Sequence, residues 1–113
     1  MSQPQTAREI MLHIPERFKP QEAGDLSGVF HFILDGETGG NFTVSVQKGQ
    51  CTVKEGLEGD PMCVITANAT DFEDAELGRE NKQMAVMMGK IRISNLGAML
   101  KFMNIFEEIP SAN

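Results

Sequence analysis

Apolar residues recur at helical spacing near the start of the chain, alternate at strand spacing through its middle, and return to helical spacing towards its end. Thr6 can cap a first helix, in which Ala7, Ile10, Met11 and Ile14 fall at i, i+3, i+4 and i+7. Pro15 ends that helix, because the residue before a proline avoids the helical region. Residues 15–20 then read as a turn with Phe18 tucked inward, and residues 21–28 as a polar link. Residues 29–34 are apolar on both sides except at His31, which predicts a central strand. After a turn at 35–40, residues 41–48 alternate, with Phe42, Val44 and Val46 on one side. A tight reversal at Lys48-Gly-Gln leads into a third strand at 51–55. A break at 56–61 precedes a fourth strand at 62–68, with Cys63, Ile65 and Ala67 inward.

The second half mixes periods. Thr70 and Glu73 have the spacing of a capping box, so a helix is expected to start there, bury Phe72, Ala75 and Leu77, and stop at Gly78. Another helical turn or two covers 81–88. Gly89 then releases a short strand at 90–94 with Ile91 and Ile93 inward. Asn95 can cap a last helix that is apolar around most of its circumference. Leu96, Met99, Leu100 and Met103 make one stripe; Ala98, Phe102, Ile105, Phe106 and Ile109 make another; Lys101, Asn104 and Glu108 form the wet edge. A helix covering a sheet needs one apolar stripe, so the second must meet more protein, another subunit or an apolar ligand. The element order predicts an α+β fold with helices on one face of a sheet. The inward strand positions, from Phe30, Phe32 and Leu34 to Ile91 and Ile93, carry no charge.

With 113 residues the chain forms one domain and one core. A net charge of −6, with ten basic residues scattered along the sequence, disfavours a nucleic-acid partner and an anionic membrane surface. No apolar run reaches membrane-spanning length and the N-terminus lacks the pattern of a signal peptide, so a cytoplasmic protein without stable membrane insertion is expected. Cys51 and Cys63 lack metal or redox spacing and read as free thiols.

Catalytic chemistry finds no support in the residues. His13 and His31 read as solvated, His31 on the wet face of its strand. Glu73, Asp74 and Glu76, the densest carboxylate cluster, read as a solvated helix face opposite Phe72, Ala75 and Leu77. The glycines at 36, 39 and 40 join two strands and open no helix, so they form a hairpin and not a phosphate cradle. The unusual feature is the methionine set Met84, Met87, Met88, Met99 and Met103 on the two C-terminal helical segments. Flexible thioethers fill irregular cores and also line surfaces that accept varied apolar partners. The residues alone leave an apolar cavity, a filled core and a dimer surface open.

Taken together, Pro15-Glu-Arg-Phe-x-Pro20, Gly24-Asp-Leu, Gly39-Gly-Asn-Phe, Lys48-Gly-Gln-Cys-Thr-Val, Ile65-Thr, Asp71-Phe72 and Met87-x-Gly-Lys-Ile-Arg-Ile resemble a single-domain member of the sterol carrier protein 2 (SCP-2 sterol transfer) family. The resemblance runs from about Ala7 to Phe106 and is most specific between Asp71 and Ile93, where Gly78, Asn81, Ala85, Gly89 and Lys90 fall at the family's spacing. It implies one domain over residues 1–113, with a core at about 7–106 and short flexible tails. The implied sheet is five-stranded, mixed and mostly antiparallel, in the order 3-2-1-4-5. Helices cover one face and enclose an apolar tunnel. The implied partner is a lipid (fatty acid, fatty acyl-CoA or sterol), bound and transferred or presented without cofactor, metal or catalytic residue. By position the resemblance puts Phe32, Phe42, Val44 and Ile65 in the sheet wall and Phe72, Met84, Met87 and Met88 in the middle cover. Met99, Leu100, Met103 and Phe106 would belong to the terminal helix that closes the tunnel.

Two positions depart from the family pattern. The connection Ser94-Asn95 is one residue shorter than usual, and Gly97 sits early in the last helix, where glycine costs about 1 kcal/mol relative to alanine; a hinged lid is the inference. The implied strand order would separate Cys51 from Cys63 by three strand spacings, roughly 14 Å, too far for a disulfide. The rival readings are a homodimerising interaction module with a filled core and an accessory lipid-presenting domain of an acyl-processing enzyme.

Overall fold

The computed structural model describes residues 5–107. Helix α1 (Ala7–Leu12) and a 3-10 turn (Ile14–Arg17) lead to the short α2 (Pro20–Ala23). Strands β1 (Gly28–Asp35), β2 (Gly40–Gln47), β3 (Gln50–Glu55) and β4 (Cys63–Asn68) follow, then α3 (Ala69–Glu76), α4 (Lys82–Met87), β5 (Ile91–Ile93) and α5 (Leu96–Met103).

The five strands form one sheet in the order β3-β2-β1-β4-β5, antiparallel at every pairing except the parallel β1–β4. The register places the expected inward residues on one face. Phe32 pairs with Phe42 on one side and Ile65 on the other, Phe30 with Val44 and Cys63, and Ile65 with Ile93. Because side chains alternate with a period of two, this alignment makes a continuous apolar wall. Phe30, Phe32, Phe42, Val44, Val46, Cys63 and Ile65 are essentially inaccessible to water. Burying each of the larger ones contributes about 1.5–3 kcal/mol. In the first hairpin Gly39 is obligatory, since a Cβ there would lie 2.1 Å from the Leu34 carbonyl oxygen.

The opposite face is not uniformly wet. Residues 56–60 fold across it: Thr43 Oγ1 donates to the Gly56 carbonyl (2.7 Å) and accepts from the Glu58 amide (3.0 Å), and His31 Nε2 lies 2.8 Å from the Glu58 carbonyl oxygen. His31 is therefore only 8% exposed, where a solvated ring was expected, because the loop after β3 supplies both its cover and its hydrogen-bond partner.

Helix α1 starts as its sequence predicts, with a full capping box, but it ends at Leu12, and the expected last position Ile14 opens the 3-10 turn that contains Pro15. Thr6 Oγ1 accepts from the Glu9 amide and Glu9 accepts from the Thr6 amide, both at 3.1 Å. The box expected at Thr70 does not form. Asn68, the last residue of β4, is the cap instead: its side chain accepts from the Thr70 amide at 2.9 Å, so α3 begins at Ala69, two residues before the start a Thr70 cap would set. Glu73 itself faces inward. It is 8% exposed, and its Oε2 accepts from the Ala7 amide and from Thr38 Oγ1, each at 2.7 Å. The solvated acidic face expected here is thus a buried carboxylate that fastens α1 and the first hairpin to α3.

Asn95 caps α5, accepting from the Ala98 amide at 3.1 Å. The helix ends at Met103, so Ile105 and Phe106, expected within it, lie beyond its end. Residues 105–107 leave it to run beside the segment after α1: Phe106 forms an antiparallel bridge with Phe18, the Lys19 amide donates to the Ile105 carbonyl (2.7 Å), and the Glu107 amide donates to the Arg17 carbonyl (2.8 Å). Glu108 and Ile109 lie outside the described residues.

Candidate functional site

Of the two stripes on the last apolar segment, the packing selects one. Ala98, Phe102, Ile105 and Phe106 are buried, whereas Leu96, Leu100 and Met103 are exposed and Met99 is half-buried. Phe102 enters the centre of the fold, its ring centroid 4.3 Å from that of Phe30, 5.8 Å from Phe32 and 4.7 Å from Phe106. Phe72 reaches Phe32 from the α3 side, and Phe18 meets Phe106 beyond. These rings form a chain of tilted and edge contacts that fills the middle of the space between helices and sheet.

Two cavities flank that chain. One, of about 60 Å³, lies between β4, β5, α3, α4 and α5 and is walled by Ile65, Phe72, Ala75, Val86, Ile91, Ile93 and Met99 among others. The second, of about 50 Å³, is bounded by Ile14, Arg17, Phe32, Phe102, Phe106 and Glu107. Glu76, Lys82, Met99 and Met103 belong to both linings, so these four side chains form the border between the cavities. Lys82 Nζ is 3.2 Å from Glu76 Oε2, a pair mostly withdrawn from solvent.

Six of the residues expected at the site are brought together by the fold: Ile65 and Phe72 at the first cavity, Phe32 and Phe106 at the second, Met99 and Met103 at both. Phe42 and Val44 share the sheet face but lie one strand away, outside both linings. Met84, Met87, Met88 and Leu100 point outward, Met87 being 80% exposed. The register of α4 explains this: Ala85 is the position that meets the core, which sends its neighbours along the helix to the surface. Phe106 contributes from the bridge with Phe18 and not from a helix.

Sequence reasoning passed over Phe102, Val86, Arg17 and the Glu76–Lys82 pair. Phe102 stood in the second apolar stripe and carried a signal. The ionic residues carried none, since their six-residue separation spans the end of one helix and the start of another.

The shifted ionisations lie away from the cavities. Burial pushes the Cys51 thiol up to about 11. Backbone amides of Gln5 and Thr6 hold the Glu9 carboxyl below its ordinary value, and the Glu80 carboxylate, bonded to Lys90 Nζ at 2.9 Å, raises that ammonium. Cys51 and Cys63 are both free. Among the described residues, no three His, Cys, Asp or Glu side chains group as a metal site, and no helix is long and apolar enough to cross a membrane.

A sheet in the order β3-β2-β1-β4-β5 with helices over its apolar face is the fold seen in sterol carrier protein 2 domains. Residues 11–107 match the SCP-2 sterol transfer family, and the chain belongs to that family. It is 35% identical over 96 residues to sterol carrier protein 2 of Gallus gallus, an alignment covering 77% of this chain and 18% of that protein. The chain thus spans under a fifth of that relative's length. Among solved structures, the fold is similar to palmitated SCP2L2 of Aedes aegypti (TM-score 0.60, 22% identity, covering 89% of this chain and 92% of that one). It is also similar to part of the sec-alkylsulfatase Pisa1 of a Pseudomonas species (TM-score 0.76, 8% identity, covering 91% of this chain and 16% of that one).

Proposed function

We propose that this chain binds a long-chain apolar lipid, of the fatty acid, fatty acyl-CoA or sterol-like kind, between its sheet and helices α3, α4 and α5, and transfers or presents it. The observation that carries this reading is the pair of cavities set against a charge-free sheet face. The driving force is desolvation, about 0.8 kcal/mol for each methylene moved from water into such surroundings. Volumes of about 60 and 50 Å³ are well below those of small-molecule sites, roughly 300–1,000 Å³, so uptake requires α5 to move relative to α4 and merge the cavities into one tunnel across Met99 and Met103. The palmitated relative and the sterol carrier relative support a lipid as the ligand class. No covalent step is involved, and the setting we assign is cytosolic, with the chain acting as one domain.

Native mass spectrometry of freshly purified protein tests the reading. Co-purified lipid, or displacement of a fluorescent fatty acid by added lipid, is the expected result; a lipid-free protein that takes up neither overturns it.

The exposed stripe Leu96, Leu100 and Met103 favours a second reading, in which two copies pair through α5. Sedimentation showing a tight dimer, together with no lipid uptake, would replace the first reading with this one. A third reading is a lipid-presenting domain that works beside an acyl-processing enzyme; what supports it is only that the same fold occurs as a segment of a much longer enzyme chain.

A further inference from the structure

The apolar cavities have an ionic border, and its composition bears on which lipids enter. Lys82 is held by Glu76 at 3.2 Å on the margin shared by both cavities, over a floor of Met99 and Met103. Arg17 also lines the second cavity. Its Nη1 donates to the Glu107 backbone carbonyl at 2.8 Å, and among the described residues no carboxylate pairs with it. The Glu107 side chain belongs to an exposed residue at the rim of the same cavity. One guanidinium with no carboxylate partner among the described residues and one ammonium held by a single carboxylate thus border the hollow, whose remaining lining is apolar apart from Glu107 at the rim.

We propose that Arg17 and Lys82 together receive the carboxylate of a fatty acid whose chain lies in the merged cavities, and that Glu76 occupies the ligand's place on Lys82 while the protein is empty. This rests on the lipid-binding reading above and adds a head-group preference to it. The exchange conserves charge at Lys82: one carboxylate leaves the ammonium as another arrives, so neither state strands a cation against the apolar floor. A guanidinium accepts a carboxylate through two parallel N–H donors, and one bond to Glu107 leaves donors of Arg17 for that purpose. A neutral lipid such as a long-chain alcohol or a sterol brings no charge to displace Glu76 and can accept only a single, weaker hydrogen bond from Arg17. Glu76 would then act as a discriminator, admitting anionic lipids by substitution and leaving neutral ones to bind by desolvation alone.

The experiment compares palmitate with hexadecanol, each titrated into delipidated wild-type protein and into the Arg17→Met, Lys82→Met and Glu76→Gln variants. Removing either cation is expected to weaken palmitate about tenfold or more, the scale of a lost charge-assisted hydrogen bond, and to leave hexadecanol within about twofold. Glu76→Gln removes the competitor and is expected to tighten palmitate severalfold. Lys82→Met and Glu76→Gln break the same ion pair, so a purely structural pair would shift both variants in the same direction; opposite shifts support the exchange. Palmitoyl-CoA, a thioester with no carboxylate at the acyl end, is expected to respond to Lys82→Met less than palmitate does; an equal response would assign the cations to phosphate. Equal losses for palmitate and hexadecanol, or no change in palmitate affinity in any variant, overturn the proposal while leaving lipid binding in place. Wild-type protein that takes up neither lipid overturns the underlying reading as well.

Discussion

Phe102 of α5 lies with its ring centroid 4.3 Å from that of Phe30 at the centre of β1, so the last helix is pinned to the middle strand by an aromatic contact. Its two ends are also held, one by the Asn95 cap and the other by the bridge between Phe106 and Phe18. A lid made from this helix therefore cannot swing freely about Gly97. It must first withdraw Phe102 from the aromatic chain, and that withdrawal would create the volume a lipid needs.

Replacing Phe102 separates its structural role from its blocking role. Phe102→Ala is expected to cost about 3–5 kcal/mol, the range for removing a buried aromatic ring. Phe102→Leu is expected to cost less while still enlarging the space between the two cavities. Urea titration measures the cost. Faster lipid uptake by Phe102→Leu than by the wild type supports the ring as the barrier, and unchanged uptake counts against it.

Glu73 is the second internal tie. Its carboxylate accepts from the Ala7 amide and from Thr38 Oγ1, joining α1, the first hairpin and α3 at one point. Glu73→Ala leaves the buried Ala7 N–H and the partly buried Thr38 hydroxyl without that acceptor and is expected to cost about 2–3 kcal/mol. Amide exchange at Ala7 and Arg8 should accelerate much more than exchange in β1. A uniform change across the chain would show that the tie does not hold α1 in particular.

Cys51 supplies a prediction with a defined pH window. Its thiol is raised from 9.0 to about 11 by burial on β3, so the folded state favours the neutral form. That contribution to stability is fully present below pH 9 and is lost as pH rises through 11. At pH 8 the thiolate fraction is lower than that of an unperturbed thiol by about a hundredfold, so iodoacetamide should label Cys51 tens of times more slowly in folded than in urea-unfolded protein. Equal labelling rates would mean that β3 opens on the timescale of the reaction. Labelling of Cys63, fully buried on β4, should wait for unfolding.

Much of the fold was legible in the residues because it depends on short-range rules. The alternation at Phe42, Val44 and Val46, the caps at Thr6 and Asn95, and the turn at Lys48-Gly49 each act over a few positions, and the sheet face they predict is the one that is buried. The strand order came from resemblance and not from periodicity, since pairing between β1 and β4 depends on a connection that no local pattern describes. The errors share a cause. Thr70, Glu73 and His31 each suggest a role from their own neighbourhoods, yet Asn68 takes the cap that Thr70 offers, and the other two are buried by partners 27 to 66 residues away.

The site divides the same way. By itself the sequence determined that the last helix has more apolar surface than one contact can use, and that the sheet beneath it carries no charge. Which stripe goes inward was decided only in three dimensions: Phe102 fits between Phe30 and Phe32, and that single fit sends Leu96, Leu100 and Met103 outward. The same packing turns Met84, Met87 and Met88 to the surface, and brings Arg17 of the 3-10 turn to the cavity edge that Glu76 and Lys82 share, about sixty residues further along the chain. Hydrophobic patterning is a property of neighbours along a helix or strand, whereas which ring fills a gap, and which charges meet beside it, depends on how distant elements pack together.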